Sequence, residues 1–303
     1  MRKGYSMQHD TDGPPAEENP VRDWTERLWS EGYCIIRDIV PASMARRLDD
    51  DLAVDFDDTP FCQGSFYGAR TKRFGRLLMR SPCAAQFVSH PLVLAIVEQV
   101  LAPWCDTVQL NLTQALALHP GALAQMPHRD QDMWRGAIGE TEYLVNVMWP
   151  FTDYRADNGA TLIWPRSHGA AALDAAPGTE PMVAELRPGD ALLFLGSTLH
   201  GAGGNDSRDV RRGMIVSYCL GWLKPYENQW LAYPPAIART FPPDLAALVG
   251  YRQHRPNLGN FEGRCPSILL RDAVPERIGA VDALRPDQAD MVEAYVADQR
   301  RRR

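Results

Sequence analysis

The chain has 303 residues, 45% of them hydrophobic, 23% charged and 9% aromatic, a composition that excludes a disordered or collagen-like chain. Its 32 Lys and Arg against 38 Asp and Glu leave a net charge of −6, with no general pull on phosphate backbones or anionic lipid, so neither nucleic acid nor a membrane is an expected partner. The most apolar stretches, 91–101 and 191–195, fall short of the ~18 residues of a membrane span, and no secretory-type apolar core follows Met1-Arg2-Lys3, which makes the cytoplasm the expected location.

Residues 1–20 mix glycine, a Pro-Pro pair and charges without periodicity and are expected to form a mobile leader. Val21, Trp24, Leu28 and Trp29 recur at helical spacing, and Tyr33-Cys34-Ile35-Ile36 after Gly32 is β-rich, so a helix over 21–30 feeds a strand at 33–36. Helices are also expected at 41–52 and at 91–101, where Leu92, Leu94, Ile96, Val97 and Val100 form a broad apolar face after a proline start. From Thr107 the texture changes to short β-type runs at 108–118, 143–150, 160–164, 182–186, 191–195 and 212–222, separated by Pro-Gly, Asn-Gly and Pro-Gly-Asp turns. Strands joined only by turns point to a mainly β fold, an antiparallel sandwich or barrel, with helices packed outside. Beyond Leu223 the chain is Pro-rich and aromatic before a last helical segment and the arginine tail at 300–303. The expected organisation is one domain over 21–303, with a helical part at 21–104, a β core at 105–223 and a C-terminal segment at 224–303. The six cysteines are scattered without a CxxC pair, which fits reduced thiols.

The common nucleotide and hydrolase signatures, Walker-type, GxGxxG, GxSxG and HExxH, are missing. Gly201-Ala202-Gly203-Gly204 runs into Asn-Asp-Ser and is expected to be a turn. His128-Arg129-Asp130 is the first positive signal, because in an extended chain residues i and i+2 share a face and an imidazole and a carboxylate can grip one ion. Alone it is weak, since seven histidines and 38 acidic residues give about one such pair by chance and a surface ion pair is the bland alternative. His200, 70 residues after Asp130 and beyond the apolar strand 191–195, supplies the context. Two histidines and one carboxylate with open positions make the facial triad of non-haem Fe(II) oxygenases. Zinc more often takes four protein ligands, or three and a water. An arginine fork can grip a dicarboxylate, and Arg211 and Arg212 stand at the start of the last strand. Alternation puts Arg211 with Gly213, Ile215 and Ser217 and Arg212 with Met214 and Val216, so only one of the two points inward.

The order of His128-x-Asp130, Asn158-Gly-Ala-Thr161, Pro165-Arg-Ser-His168, Pro188-Gly-Asp190, His200-Gly-Ala-Gly203 and an arginine eleven residues on resembles the phytanoyl-CoA dioxygenase (PhyH)-like family of Fe(II)/2-oxoglutarate-dependent oxygenases. The likeness runs from Gly32-Tyr33 to Trp222. The stretch Pro120-Gly121, Ala124-Gln125 and His128-Arg129-Asp130 is similar to members that act in bacterial and fungal natural-product biosynthesis. The resemblance implies a double-stranded β-helix (jelly roll, cupin-like) core, with iron on His128, Asp130 and His200. It implies Arg211 on the distal carboxylate of 2-oxoglutarate, with Gln125 and Thr161 as lesser contacts. It further implies a dioxygenase that uses O2 to oxidise, above all to hydroxylate, an unactivated C–H bond and releases succinate and CO2. Related halogenases lack the carboxylate that Asp130 provides. Related enzymes are often monomers or dimers, so a monomer or homodimer is expected.

The expected substrate is a mid-sized apolar small molecule, a natural-product intermediate, because Phe66, Tyr67, Met133, Trp134 and Trp222, with Tyr226 and Trp230, could line an apolar pocket. Core packing accounts for the same residues equally well. No basic cluster offers a grip for the phosphates of a CoA thioester, and the cations at 70–73 read either as a solvated face or as a grip on an acidic substrate. His168, after a turn, is the rival distal ligand, and His90, His119 and His254 stand near prolines in structural settings. Two other functions fit the same triad: a non-catalytic β-barrel sensor of a small carboxylate, and a redox-inert zinc or manganese cupin-type enzyme.

Overall fold

The structure is a computed structural model that describes residues 19–173 and 180–303, so the expected leader lies outside the described residues except for Asn19 and Pro20. Those two open the first helix, α1 (Pro20–Glu31). Proline stands where no N–H is needed, and the Asn19 side chain accepts a hydrogen bond from the Arg22 N–H at 3.3 Å. Gly32 ends the helix with φ +84°, and its N–H donates to the Leu28 carbonyl at 2.8 Å. The chain continues through β1 (Tyr33–Ile36), α2 (Ala42–Asp51), α3 (Ala53–Asp58), β2 (Thr71–Phe74), α4 (Leu77–Arg80), α5 (Ala84–Val88) and α6 (Pro91–Leu101). The β region follows as β3 (Val108–Leu118), β4 (Leu144–Pro150), β5 (Thr161–Ile163), β6 (Met182–Ala184), β7 (Ala191–Leu195), β8 (His200–Ala202) and β9 (Arg211–Leu220). Four helices close the chain: α7 (Gln229–Ala232), α8 (Pro235–Ala238), α9 (Pro243–Leu248) and α10 (Pro286–Arg301). Among the described residues no helix is long and apolar enough to cross a membrane, and the six cysteines are free.

All strand pairs are antiparallel: six strands form one sheet in the order β1-β7-β4-β9-β3-β2, and three form a second in the order β6-β5-β8. Side-chain alternation along the larger sheet sorts residues into two cores. Val145, Val147 and Trp149 of β4, Leu193 and Leu195 of β7, and Met214, Val216 and Tyr218 of β9 face the helices and pack with Phe87, Ile96 and Val97. Met148, Leu192, Phe194, Leu116 and Leu118 face the other way and meet Ile163 and Ala184 of the smaller sheet. Because both faces of the larger sheet are covered, its central strands are largely apolar on both faces rather than alternating.

Short elements depart from the sequence reading: α3, α4 and α5 are not among the expected helices, and β6 is shorter than the expected 182–186. Gly201 and Ala202, expected in a turn, form with His200 the edge strand β8, paired with β5 through Ile163–His200 and Thr161–Ala202. Gly201 fits there because a Cβ would stand 3.1 Å from the Gln125 carbonyl. Another is β2, four residues with a polar centre, which carried too little periodicity to be seen.

The Pro188-Gly189-Asp190 turn anchors the β1 edge. The buried Asp190 carboxylate accepts hydrogen bonds from the Asp38 N–H at 3.0 Å, the Arg187 N–H at 3.1 Å and Arg37 Nη1 at 2.7 Å. Burial opposes its charge, but these donors outweigh it and hold the carboxyl below its ordinary 3.8. Asp190→Asn is therefore expected to cost about 2–4 kcal/mol at neutral pH in denaturant unfolding. The difference from wild type should be fully present above 3.8 and disappear as the pH falls through the lowered native value.

Candidate functional site

His128 and His200 are brought together by backbone pairing. The His128 N–H donates to the His200 carbonyl at 2.9 Å and the His200 N–H to the His128 carbonyl at 3.0 Å, an isolated antiparallel bridge that sets the two imidazoles 4.4 Å apart between ring centres. Arg129 stays extended, and a single 3-10 turn begins at Asp130 (Asp130–Met133). The carboxylate thus returns to the histidines, with Oδ1 3.5 Å from His128 Nε2 and Oδ2 3.6 Å from His200 Nε2. One ligand atom from each of the three lies within 4.8 Å of the others, the one such His, Cys, Asp and Glu cluster among the described residues.

The outer partners fix which nitrogen faces inward. His128 Nδ1 lies 2.9 Å from the Met126 carbonyl and His200 Nδ1 3.0 Å from the Thr198 carbonyl. A carbonyl only accepts, so each Nδ1 carries the hydrogen and each Nε2 turns a lone pair toward Asp130. Burial pushes the His200 pKa below its ordinary value, which favours the neutral ring. Asp130 is held at about 2: burial works against its charge, but the neighbouring His200 and His128 and a hydrogen bond from Asn146 Nδ2 at 2.9 Å prevail. The turn leading to β8 is pinned by Glu142, which accepts from the Ser197 N–H at 3.2 Å and Ser197 Oγ at 2.5 Å.

His128, Asp130 and His200 line a cavity of about 430 Å³. Arg211, 1% exposed, lines it too, and its Nε and Nη1 find no hydrogen-bond acceptor among the described residues. Tyr154 lies against it, ring centre 4.2 Å from the guanidinium carbon. Gly213 makes the room, since a Cβ there would stand 1.9 Å from the Tyr154 hydroxyl. Arg212 points to the other face, where it pairs with Asp49 at 2.6 Å and stacks over Phe56. A second guanidinium, Arg73 of β2, also enters the cavity. Its Nη1 donates to Gln114 Oε1 at 3.2 Å, its Nε is buried without an acceptor, and Tyr67 lies over it. Apolar walls come from Leu112, Leu116, Met148, Phe194 and Ile215. At the mouth Phe66 stands edge-on to His128, ring centres 4.9 Å apart, and the Tyr67 and Tyr226 hydroxyls touch.

Of the residues selected from sequence, Gln125, His128, Asp130, Thr161, His200, Arg211, Phe66, Tyr67 and Met133 all line this cavity. Trp134 and Trp222 do not. The indole of Trp134 donates to the Lys224 carbonyl and that of Trp222 to the Trp104 carbonyl, so both fasten the ends of strands to neighbouring chain. His168 is also away from the triad, with Nε2 2.8 Å from the Trp29 carbonyl. Sequence reasoning missed Asn146 and Tyr154. A lone asparagine inside the apolar run Leu144–Pro150 was the available signal for the first.

The profile of the phytanoyl-CoA dioxygenase (PhyH) family matches residues 29–213. Dioxygenase cdmD of Talaromyces verruculosus is 35% identical over 77% of this chain and 84% of its own. Multifunctional dioxygenase ausE of Aspergillus calidoustus is 28% identical over 77% of this chain and 84% of its own. Among solved structures, the epimerase SnoN in complex with Fe3+, alpha ketoglutarate and nogalamycin RO superposes with a TM-score of 0.55 at 17% identity, covering 67% of this chain and 84% of its own. That likeness establishes the fold as the double-stranded β-helix of iron/2-oxoglutarate enzymes.

A buried cation with Tyr154 as its neighbour and two of its nitrogens without an acceptor costs stability in the ligand-free protein. Arg211→Met is expected to stabilise that state by about 1–3 kcal/mol, seen as a raised Tm in a thermal melt without added ligands.

Proposed function

The chain belongs to the phytanoyl-CoA dioxygenase family of iron- and 2-oxoglutarate-dependent dioxygenases, and on that premise we propose that it hydroxylates an unactivated C–H bond of a mid-sized apolar natural-product intermediate. The observation that carries the site assignment is the inward face of the triad. The Nε2 atoms of His128 and His200 and the Asp130 carboxylate converge, while each Nδ1 is committed to a backbone carbonyl. Two nitrogens and one oxygen in that arrangement suit Fe(II) with three positions left open.

The cavity also fits the cosubstrate. 2-Oxoglutarate is a dicarboxylate, and the cavity offers two guanidinium groups with unanswered N–H donors, Arg211 and Arg73. Arg211 would hold the distal carboxylate, with Thr161 and Gln125 bordering the same space. When bound, iron and 2-oxoglutarate supply the oxidation: O2 and 2-oxoglutarate go to succinate and CO2, and one oxygen atom becomes available to the substrate. The protein's part is placement. Phe66, Tyr67, Met133 and Tyr226 cover the metal wall and exclude water, while the triad and both arginines are set before substrate arrives.

The apolar part of the lining supports the substrate class. Leu112, Leu116, Met148, Phe194 and Ile215 give the cavity apolar walls beside the polar groups assigned to metal and cosubstrate, which favours an apolar molecule with few polar anchors. Phe66, Leu123, Met126, Met133 and Tyr226 stay exposed around and beside the mouth, where apolar surface serves an apolar ligand. The fungal dioxygenases and the nogalamycin epimerase among the similar proteins support a place in natural-product biosynthesis.

Anaerobic titration of metal-free protein with Fe(II) and 2-oxoglutarate is expected to produce the visible charge-transfer band of the chelate. His200→Ala should abolish it, and Arg211→Ala should raise the 2-oxoglutarate requirement at least about ten-fold, the loss of one charge-assisted pair. Admission of O2 should then convert 2-oxoglutarate to succinate. No band in folded wild-type protein overturns the assignment, and a band without succinate leaves a binding protein.

A further inference from the structure

Asn146 sits in the middle of β4, 1% exposed, opposite Phe194 of β7 and Ser217 of β9. Its neighbours Leu144, Val145, Val147 and Met148 are apolar, and an amide in such a place is destabilising unless its hydrogen bonds are made. They are made only in part. Nδ2 donates to Asp130 Oδ2 at 2.9 Å, while Oδ1 finds no partner among the described residues. Chemistry fixes this orientation, because a carboxylate accepts and cannot donate to an amide oxygen. The arrangement forgoes half of the amide's bonding to keep one N–H on one oxygen of the metal-binding carboxylate.

The two oxygens of Asp130 are thereby made unequal. Each oxygen lies near one triad imidazole, Oδ1 3.5 Å from His128 Nε2 and Oδ2 3.6 Å from His200 Nε2, but Oδ2 alone also accepts the hydrogen bond from Asn146. We propose that Asn146 is a positioning residue that restricts Asp130 to ligation through Oδ1 alone. The inference rests on the iron and 2-oxoglutarate reading of the site. A carboxylate bound through one oxygen leaves three positions on an octahedral metal, two for the cosubstrate and one for O2; bound through both oxygens it takes one of the three. Asn146 therefore acts on cosubstrate chelation and not on metal capture, since a freed second oxygen would bind the metal as well or better.

The test uses Asn146→Leu, which keeps the shape without the N–H, and Asn146→Ala, each checked for fold by circular dichroism and thermal melting. In anaerobic titrations Fe(II) affinity should stay within about three-fold of wild type, whereas half-development of the charge-transfer band should need at least about ten times more 2-oxoglutarate, the size typical of a lost outer-sphere partner. A wild-type band at wild-type 2-oxoglutarate concentration in either folded variant overturns the proposal, as does an equal loss of affinity for metal and cosubstrate. Absence of the band in the wild-type protein overturns the underlying reading first. X-ray absorption of the wild-type protein loaded with Fe(II) alone stands independently of how the variants fold: single-oxygen ligation by the carboxylate supports the role, and two-oxygen ligation removes it.

Discussion

The site depends on one pair of backbone hydrogen bonds, those between His128 and His200. Each histidine stands in a segment that sequence alone would leave irregular, one after Pro127 and the other before a glycine-rich stretch. Pairing them as directly opposed residues fixes the separation of their rings without any side-chain contribution. The carbonyls two residues upstream then set which nitrogen of each ring faces inward. Only after both are set does the turn at Asp130 have somewhere to deliver its carboxylate.

The sheet supplies the second constraint. With helices on one face and the smaller sheet on the other, every second residue of β3, β4, β7 and β9 points into a space with almost no water. Polar side chains at buried positions carry a cost there: Gln114 and Arg211 line the cavity, Asn146 reaches Asp130, and Asn111 donates to Ser217. Arg212, one residue away, has an ordinary ion pair on the helical side. The difference between two adjacent arginines is the difference between a ligand grip and a surface-type contact, and strand phase alone decides it.

Much of this could be read from the chain. The helix at 91–101 and the strands at 108–118 and 191–195 coincide with the structure because their apolar runs are long and bounded by prolines and turns. The triad was legible because His128 and Asp130 stand two residues apart and His200 follows an apolar strand. β8 was not, because glycine carries no β signal and edge pairing is a tertiary property. Trp134 and Trp222 misled for a related reason: an indole looks alike to a sequence reader whether it lines a pocket or ties a strand end through its N–H. Asn146 stood in view inside a hydrophobic strand, but only the partner across the barrel gives that position meaning.

Two stretches far apart in the chain meet at the mouth. Tyr67 and Tyr226, 159 residues apart, meet hydroxyl to hydroxyl above the metal wall. Neither stretch belongs to the strands that carry the triad or Arg211. A substitution in either tyrosine segment therefore reshapes the entrance without altering a strand that carries His200 or Arg211, whereas Met126 and Met133, beside the triad in sequence, tie the rest of the rim to the metal-binding residues.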